Sequence, residues 1–198
     1  MAYEILLNKE VFHFTENGLP CLVHYKNKTG GSHFTVTLVA DLFLQGSKIL
    51  FLTAYPMAKD NFLEQVKGKE KDIIFIEEVS DLKDSENYQA IILKSGDEKL
   101  YLDVIKVIPD INERVVLVKN FEIFTEETIE KTLQMKKIIL SGDIDKSPSK
   151  KQISDKLYQT TISFSQPDTA VDFKTPILEK YSGYLETTDK EGLVQIKM

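Results

Sequence analysis

Asn27-Lys28-Thr29-Gly30-Gly31-Ser32-His33 is the segment whose residue types and spacing suit phosphate chemistry. It joins a short apolar run, Cys21–Tyr25, to a stretch with apolar residues at 34, 38, 39, 42 and 43, the spacing of one helix face. A glycine turn between a buried strand and a helix leaves backbone N–H groups free at the helix N-terminus, where an anion is stabilised. Against the phosphate-loop pattern Gly-x4-Gly-Lys-Ser/Thr, the segment reads from Asn27, with His33 in the lysine place and Phe34 in the hydroxyl place. A neutral imidazole offers one donor, little charge and a shorter reach than lysine. Phenylalanine holds no metal. The candidate binding residues are therefore Lys28, Thr29, Gly30, Gly31, Ser32, His33 and Thr35, a phosphate loop without its usual chemistry.

The elements that must position this loop follow from the apolar pattern. Strands are expected at about 21–25, 48–53, 72–77, 114–118 and 137–141, each a short apolar run bounded by polar turns. A helix is expected over 34–44, a second opening at Pro56 and running to about Val66, and a third with its stripe at Leu100, Tyr101, Val104, Ile105 and Ile108. Thr125 is placed to cap another over Glu126–Met135. Ala90–Lys94 suits a strand or a helix end equally. Thr160–Phe164 follows a change of pattern, and Tyr181–Thr187 with Leu193–Lys197 reads as a hairpin. Alternation of this kind implies an α/β fold: a mainly parallel central sheet, helices on both faces, and an antiparallel C-terminal hairpin at one edge. One domain over residues 1–198 is expected. Ligands of such sheets sit at the carboxyl ends of the strands.

Composition narrows the function classes. The chain has 198 residues, 42% apolar and 28% charged, with a formal charge of −6. That acidity argues against a broad nucleic-acid surface. The single cysteine, Cys21, cannot form an intrachain disulfide and reads as a buried thiol. His13, His24 and His33 are too scattered for a metal-site spacing, so no metal site is expected. Lys146, Lys150, Lys151 and Lys156 cluster beside Pro148, as a solvated loop or a surface for an acidic partner. No secretory leader or membrane span is visible, and the chain reads as cytoplasmic.

The order of elements resembles the RecA-like ATPase domain of the P-loop NTPases, in particular the branch around the circadian-clock ATPase KaiC. The resemblance is carried by Gly18-Leu19-Pro20 before the first strand, Thr29-Gly30 in the loop and Thr35 after it. Further support comes from Lys48–Thr53, the apolar strand at 115–118, and Gly183-Tyr184-Leu185 in the tail hairpin. Lys28 looks like the extra lysine of MinD-type loops, or is a solvated loop residue. The resemblance implies an acidic residue ending the strand at 115–118, where this chain has Lys119-Asn120. Lys119 there is an exposed or salt-bridged strand end, or a fixed positive charge for a phosphate or Glu122. It also implies a water-activating glutamate after the second strand, where Thr53-Ala54-Tyr55-Pro56 stands, with Glu77 and Glu78 ending the neighbouring strand. Tyrosine is a poor general base at neutral pH.

Loss of all three elements implies a pseudo-ATPase, a structural or regulatory module with no cofactor, no catalytic residue and no metal. Its expected partners are copies of itself or an active RecA-like relative. The alternative is a protein that still binds ATP or ADP without strong Mg²⁺ dependence, or a slow ATPase, through Lys28, His33 and the loop amides.

Overall fold

The computed structural model describes residues 3–7, 10–26, 29–44, 49–52, 60, 62–64, 66, 78–82, 98–164, 182–189 and 191–195. The expected strand at 72–77, most of the helix from Pro56, and residues 90–94 lie outside these. The strands are β1 (Tyr3–Leu7), β2 (Glu10–Phe14), β3 (Cys21–Tyr25), β4 (Ile49–Leu52), β5 (Val115–Lys119), β6 (Ile138–Gly142), β7 (Thr160–Phe164), β8 (Ser182–Thr187) and β9 (Glu191–Gln195). The helices used below are α1 (Gly31–Leu44), α2 (Glu98–Val107), α3 (Glu126–Leu133) and α4 (Lys150–Asp155).

All nine strands form one sheet in the order β2-β1-β9-β8-β7-β3-β6-β5-β4. The block from β7 to β4 is parallel throughout. β8 and β9 continue it antiparallel beyond β7, as expected of the tail hairpin. Sequence reading did not anticipate β1 and β2, which pair with each other and extend the same wing through β9. Nor did it place Thr160–Phe164, which lies beside the loop-bearing strand β3.

The strands that sequence made most apolar are central because both their faces are covered. Every residue of β5 and β6 is buried. One face, with Cys21, Val23, Val115, Leu117 and Ile139, packs on Val36, Leu38 and Val39 of α1. The other, with Leu22, Val116, Val118 and Leu140, packs on Tyr101 and Val104 of α2, Ile129 of α3 and Ile153 of α4. Cys21 is buried as expected, and burial pushes its thiol far above the ordinary range. Thr125 caps α3 through its hydroxyl, which accepts the Thr128 N–H at 3.4 Å. This is the cap that the sequence suggested.

Candidate functional site

β3, β6 and β5 lie side by side and parallel, so their carboxyl ends meet in one place. The loop after β3 opens α1 at Gly31, three residues ahead of the expected Phe34. Gly30 sets that start. Its φ of 93° is a left-handed conformation that suits glycine, and its carbonyl accepts the Phe34 N–H at 2.9 Å. Thr29 closes the turn, its hydroxyl donating to the Lys26 carbonyl at 2.7 Å. Gly31 is glycine for a different reason, because a Cβ there would lie 2.4 Å from the Tyr25 Cβ.

The predicted loop residues divide accordingly. Gly31 is buried, Thr29, Gly30 and Ser32 are half-buried, and His33 is exposed. Phe34 enters the core, its ring centroid 5.0 Å from that of Phe164. Thr35 is fully buried and faces the sheet. Its hydroxyl donates to the Gly31 carbonyl at 2.8 Å and accepts from the Ser141 hydroxyl at 2.8 Å, an arrangement that uses both protons. Lys28, Ala54, Tyr55 and Glu77 lie outside the described residues.

At the end of β5, Lys119 is only 3% exposed. An exposed or salt-bridged strand end was one expectation; the side chain is neither exposed nor, among the described residues, in an ion pair or hydrogen bond. Burial lowers its pKa from 10.5 to about 8, leaving the amine mainly protonated at pH 7. Strand alternation places it on the α1 face with Val115 and Leu117, opposite Ser141 in the β5–β6 register.

Asn120 follows in a left-handed conformation at φ 59°, its N–H donating to the Ser141 carbonyl at 2.6 Å. Its buried side-chain oxygen has no hydrogen-bond partner among the described residues. Glu122 ties the two strand ends together. One carboxylate oxygen accepts from Asn120 Nδ2 at 3.4 Å, and the other from the Asp143 N–H at 3.2 Å.

On the opposite face, parallel pairing of β3 with β6 brings His24 to Asp143 and Asp145. Their potential ligand atoms lie within 4.8 Å of one another, a proximity that sequence spacing alone did not disclose. His24 Nδ1 lies 3.2 Å from the Ile144 nitrogen and 3.4 Å from the Gly142 carbonyl oxygen, accepting from the first when neutral at Nδ1 and donating to the second when protonated there. Burial lowers the His24 pKa, with Asp143 opposing the shift. Both carboxylates already have ammonium partners, Lys146 on Asp143 at 3.1 Å and Lys150 on Asp145 at 2.6 Å. Lys156 donates to the Leu133 carbonyl at 2.6 Å. Three of the four clustered lysines are thus engaged within the chain.

The arrangement can hold an anion on the amides of the glycine turn and first helical turn. At the end of β5 it presents an ammonium, Lys119, and an amide, Asn120.

No protein family and no curated protein matches the chain by sequence. Solved structures do match. One is the genome packaging NTPase B204 from Sulfolobus turreted icosahedral virus 2 in complex with ATP-gammaS, at 11% identity and TM-score 0.51. That match covers 88% of this chain and 96% of that one. Another is the cytoplasmic domain of the Thermomonospora curvata Type VII secretion ATPase EccC, at 13% identity and TM-score 0.55. It takes in 98% of this chain, which spans only 26% of the EccC chain. Among the described residues no helix is long and apolar enough to cross a membrane. The chain has the fold of the P-loop NTPases.

Proposed function

We propose that this chain is a non-hydrolysing P-loop NTPase-fold protein, a single RecA-like domain over residues 1–198 that acts through protein contacts. The observation that carries the reading is Lys119-Asn120 at the end of β5. A buried ammonium repels the divalent cation that phosphoryl transfer uses, and a side-chain amide has no basicity with which to activate water. The first turn of α1 supports the same reading, because Gly31, Ser32, His33 and Phe34 contain no lysine. Tyr25 leaves no room for a side chain at Gly31, the first helical position.

A fold kept without that chemistry is kept for its shape. Its partner in this reading is a second copy or an active relative, and among the described strands β2 and β4 lie at the ends of the sheet, where further strands can pair. Nucleic acid is disfavoured by the formal charge of −6.

The test is Mg²⁺-dependent ATP hydrolysis by the purified protein, alone and across a concentration range followed by light scattering. The expected result is no turnover above background, with association or a recovered partner. Turnover of ~1 s⁻¹ or faster, an ordinary enzymatic rate, would refute the reading if a Gly30 substitution abolished it.

A second reading, retained ATP or ADP binding without strong Mg²⁺ dependence, is favoured by Gly30. Its left-handed turn and the α1 amides keep the backbone half of a phosphate site. Thermal shifts with ATP and ADP, with and without Mg²⁺, test it directly.

A further inference from the structure

His24, Asp143 and Asp145 bring an imidazole and two carboxylates together away from the glycine turn and Lys119. One ligand atom from each lies within 4.8 Å of the other two, and among the described residues no other three such side chains converge in this way. Two ligands held at about 2.1 Å from one ion stand roughly 3–4 Å apart. A small turn of the exposed Asp145 side chain therefore closes the set around a cation. Along β3, His24 alternates with Val23 and Tyr25 and shares the face of Leu22, the face that α1 does not cover.

The donors are fixed from outside the set. His24 Nδ1 lies 3.4 Å from the Gly142 carbonyl oxygen. Protonated there, the ring donates to the backbone and Nε2 keeps its lone pair, the arrangement that ligating histidines adopt. Asp143 is buried, and its N–H donates to the Glu122 carboxylate beyond β5 at 3.2 Å. The turn that carries both aspartates is thus pinned to its neighbours on two sides.

The ammonium groups that balance the two carboxylates are free to leave. Lys146 stands 3.1 Å from Asp143 and Lys150 2.6 Å from Asp145, and the two lysine side chains are 59% and 60% exposed. Exposed ion pairs hold weakly, because water receives the released ammonium at little cost. A divalent cation supplies the charge of both lysines at one centre. It also gains a bond to the imidazole lone pair, which an ammonium cannot form.

We propose that His24, Asp143 and Asp145 form a binding site for one divalent transition-metal ion of the Zn²⁺ class, which displaces Lys146 and Lys150 and joins the end of β3 to the turn after β6. One imidazole nitrogen and two carboxylate oxygens suit Zn²⁺ better than Mg²⁺ or Ca²⁺, which prefer oxygen ligands alone. Three protein ligands leave a further position for water. The site goes beyond the non-hydrolysing reading and does not depend on it.

The experiment is isothermal titration of the full chain, stripped of metal with EDTA and dialysed, with Zn²⁺ and with Mg²⁺. One Zn²⁺ per chain is expected, bound at least a hundredfold more tightly than Mg²⁺. Asp145→Asn should lose at least tenfold in Zn²⁺ affinity, and because that side chain is exposed the variant should keep the wild-type circular dichroism spectrum. His24→Gln should lose at least as much, with Asp145→Asn as the readout if the histidine variant does not fold. Replacing Lys146 and Lys150 together with alanine removes the competing ammonium groups and should tighten Zn²⁺ binding several-fold. Wild-type affinity in folded Asp145→Asn, equal affinities for Zn²⁺ and Mg²⁺, unchanged affinity in the double lysine variant, or no Zn²⁺ binding would each overturn the proposal. Mg²⁺-dependent ATP turnover would defeat the non-hydrolysing reading and leave this site standing.

Discussion

Replacing Lys119 with methionine should stabilise the ligand-free protein at neutral pH. Burial lowers the amine from 10.5 to about 8, so the folded state holds its proton less tightly than the unfolded chain. Between those two values the unfolded state binds more protons, and stability rises with pH. Below the folded value both states are protonated and the penalty is fully present. At about 1.4 kcal/mol per pKa unit, the charged lysine costs on the order of 3 kcal/mol at pH 7 and about 1 kcal/mol or less at pH 10. Methionine has a similar length, carries no charge and suits an irregular buried space. Urea unfolding of both proteins at pH 7 and pH 10, without phosphate, is the assay. The variant should be the more stable at pH 7 by up to about 3 kcal/mol, with most of that gain gone at pH 10. A variant less stable than wild type at pH 7, or a difference that does not change with pH, would mean that Lys119 has a counter-charge.

Thr35→Val should cost about 1–3 kcal/mol because it strands the buried Ser141 hydroxyl, and Ser141→Ala added to it should cost little more, as a double-mutant cycle can measure. Gly31→Ala forces a Cβ against Tyr25 and should lower stability by about 1–3 kcal/mol, much of it recovered when Tyr25 is also shortened to alanine; an unchanged melting point would contradict the contact. His24 is held neutral by burial, so its contribution to stability is present above its unfolded value of about 6.5 and is lost as pH falls below it. Wild type should therefore lose more stability than His24→Gln between pH 7 and pH 5, and parallel losses would exclude His24 as the cause.

The central strands were legible because residues buried on two faces leave an unbroken apolar run, as in Cys21–Val23, Val115–Val118 and Ile138–Leu140. The start of α1 was not. Gly31, Ser32 and His33 carry no apolar stripe, and the helix begins there because Gly30 turns left-handed and Tyr25 excludes a side chain at Gly31. β1 and β2 were missed because Glu4, Asn8, Lys9 and Glu10 interrupt any long apolar signal in a hairpin at the sheet's edge. Lys119 shows a limit of composition rules, which expect lysine in solvent. Its burial comes from the strand continuing one residue beyond Val118 under α1, a tertiary effect. The approach of His24 to Asp143 and Asp145 likewise depends on pairing between strands more than a hundred residues apart.

The pairing of β1 with β9 sets an order of assembly. Leu6 lies opposite Gln195, so β1 and β2 have their place in the sheet only after β9 has joined it. The central parallel strands can associate earlier, leaving the first hairpin to wait with an unpaired edge while the rest of the chain emerges from the ribosome. Contacts of such sequence separation slow folding and leave edges open to other chains. Loss of β8 and β9 would release the β1–β2 hairpin from the sheet and expose the edge of β7, making aggregation on synthesis the first sign of damage at that end.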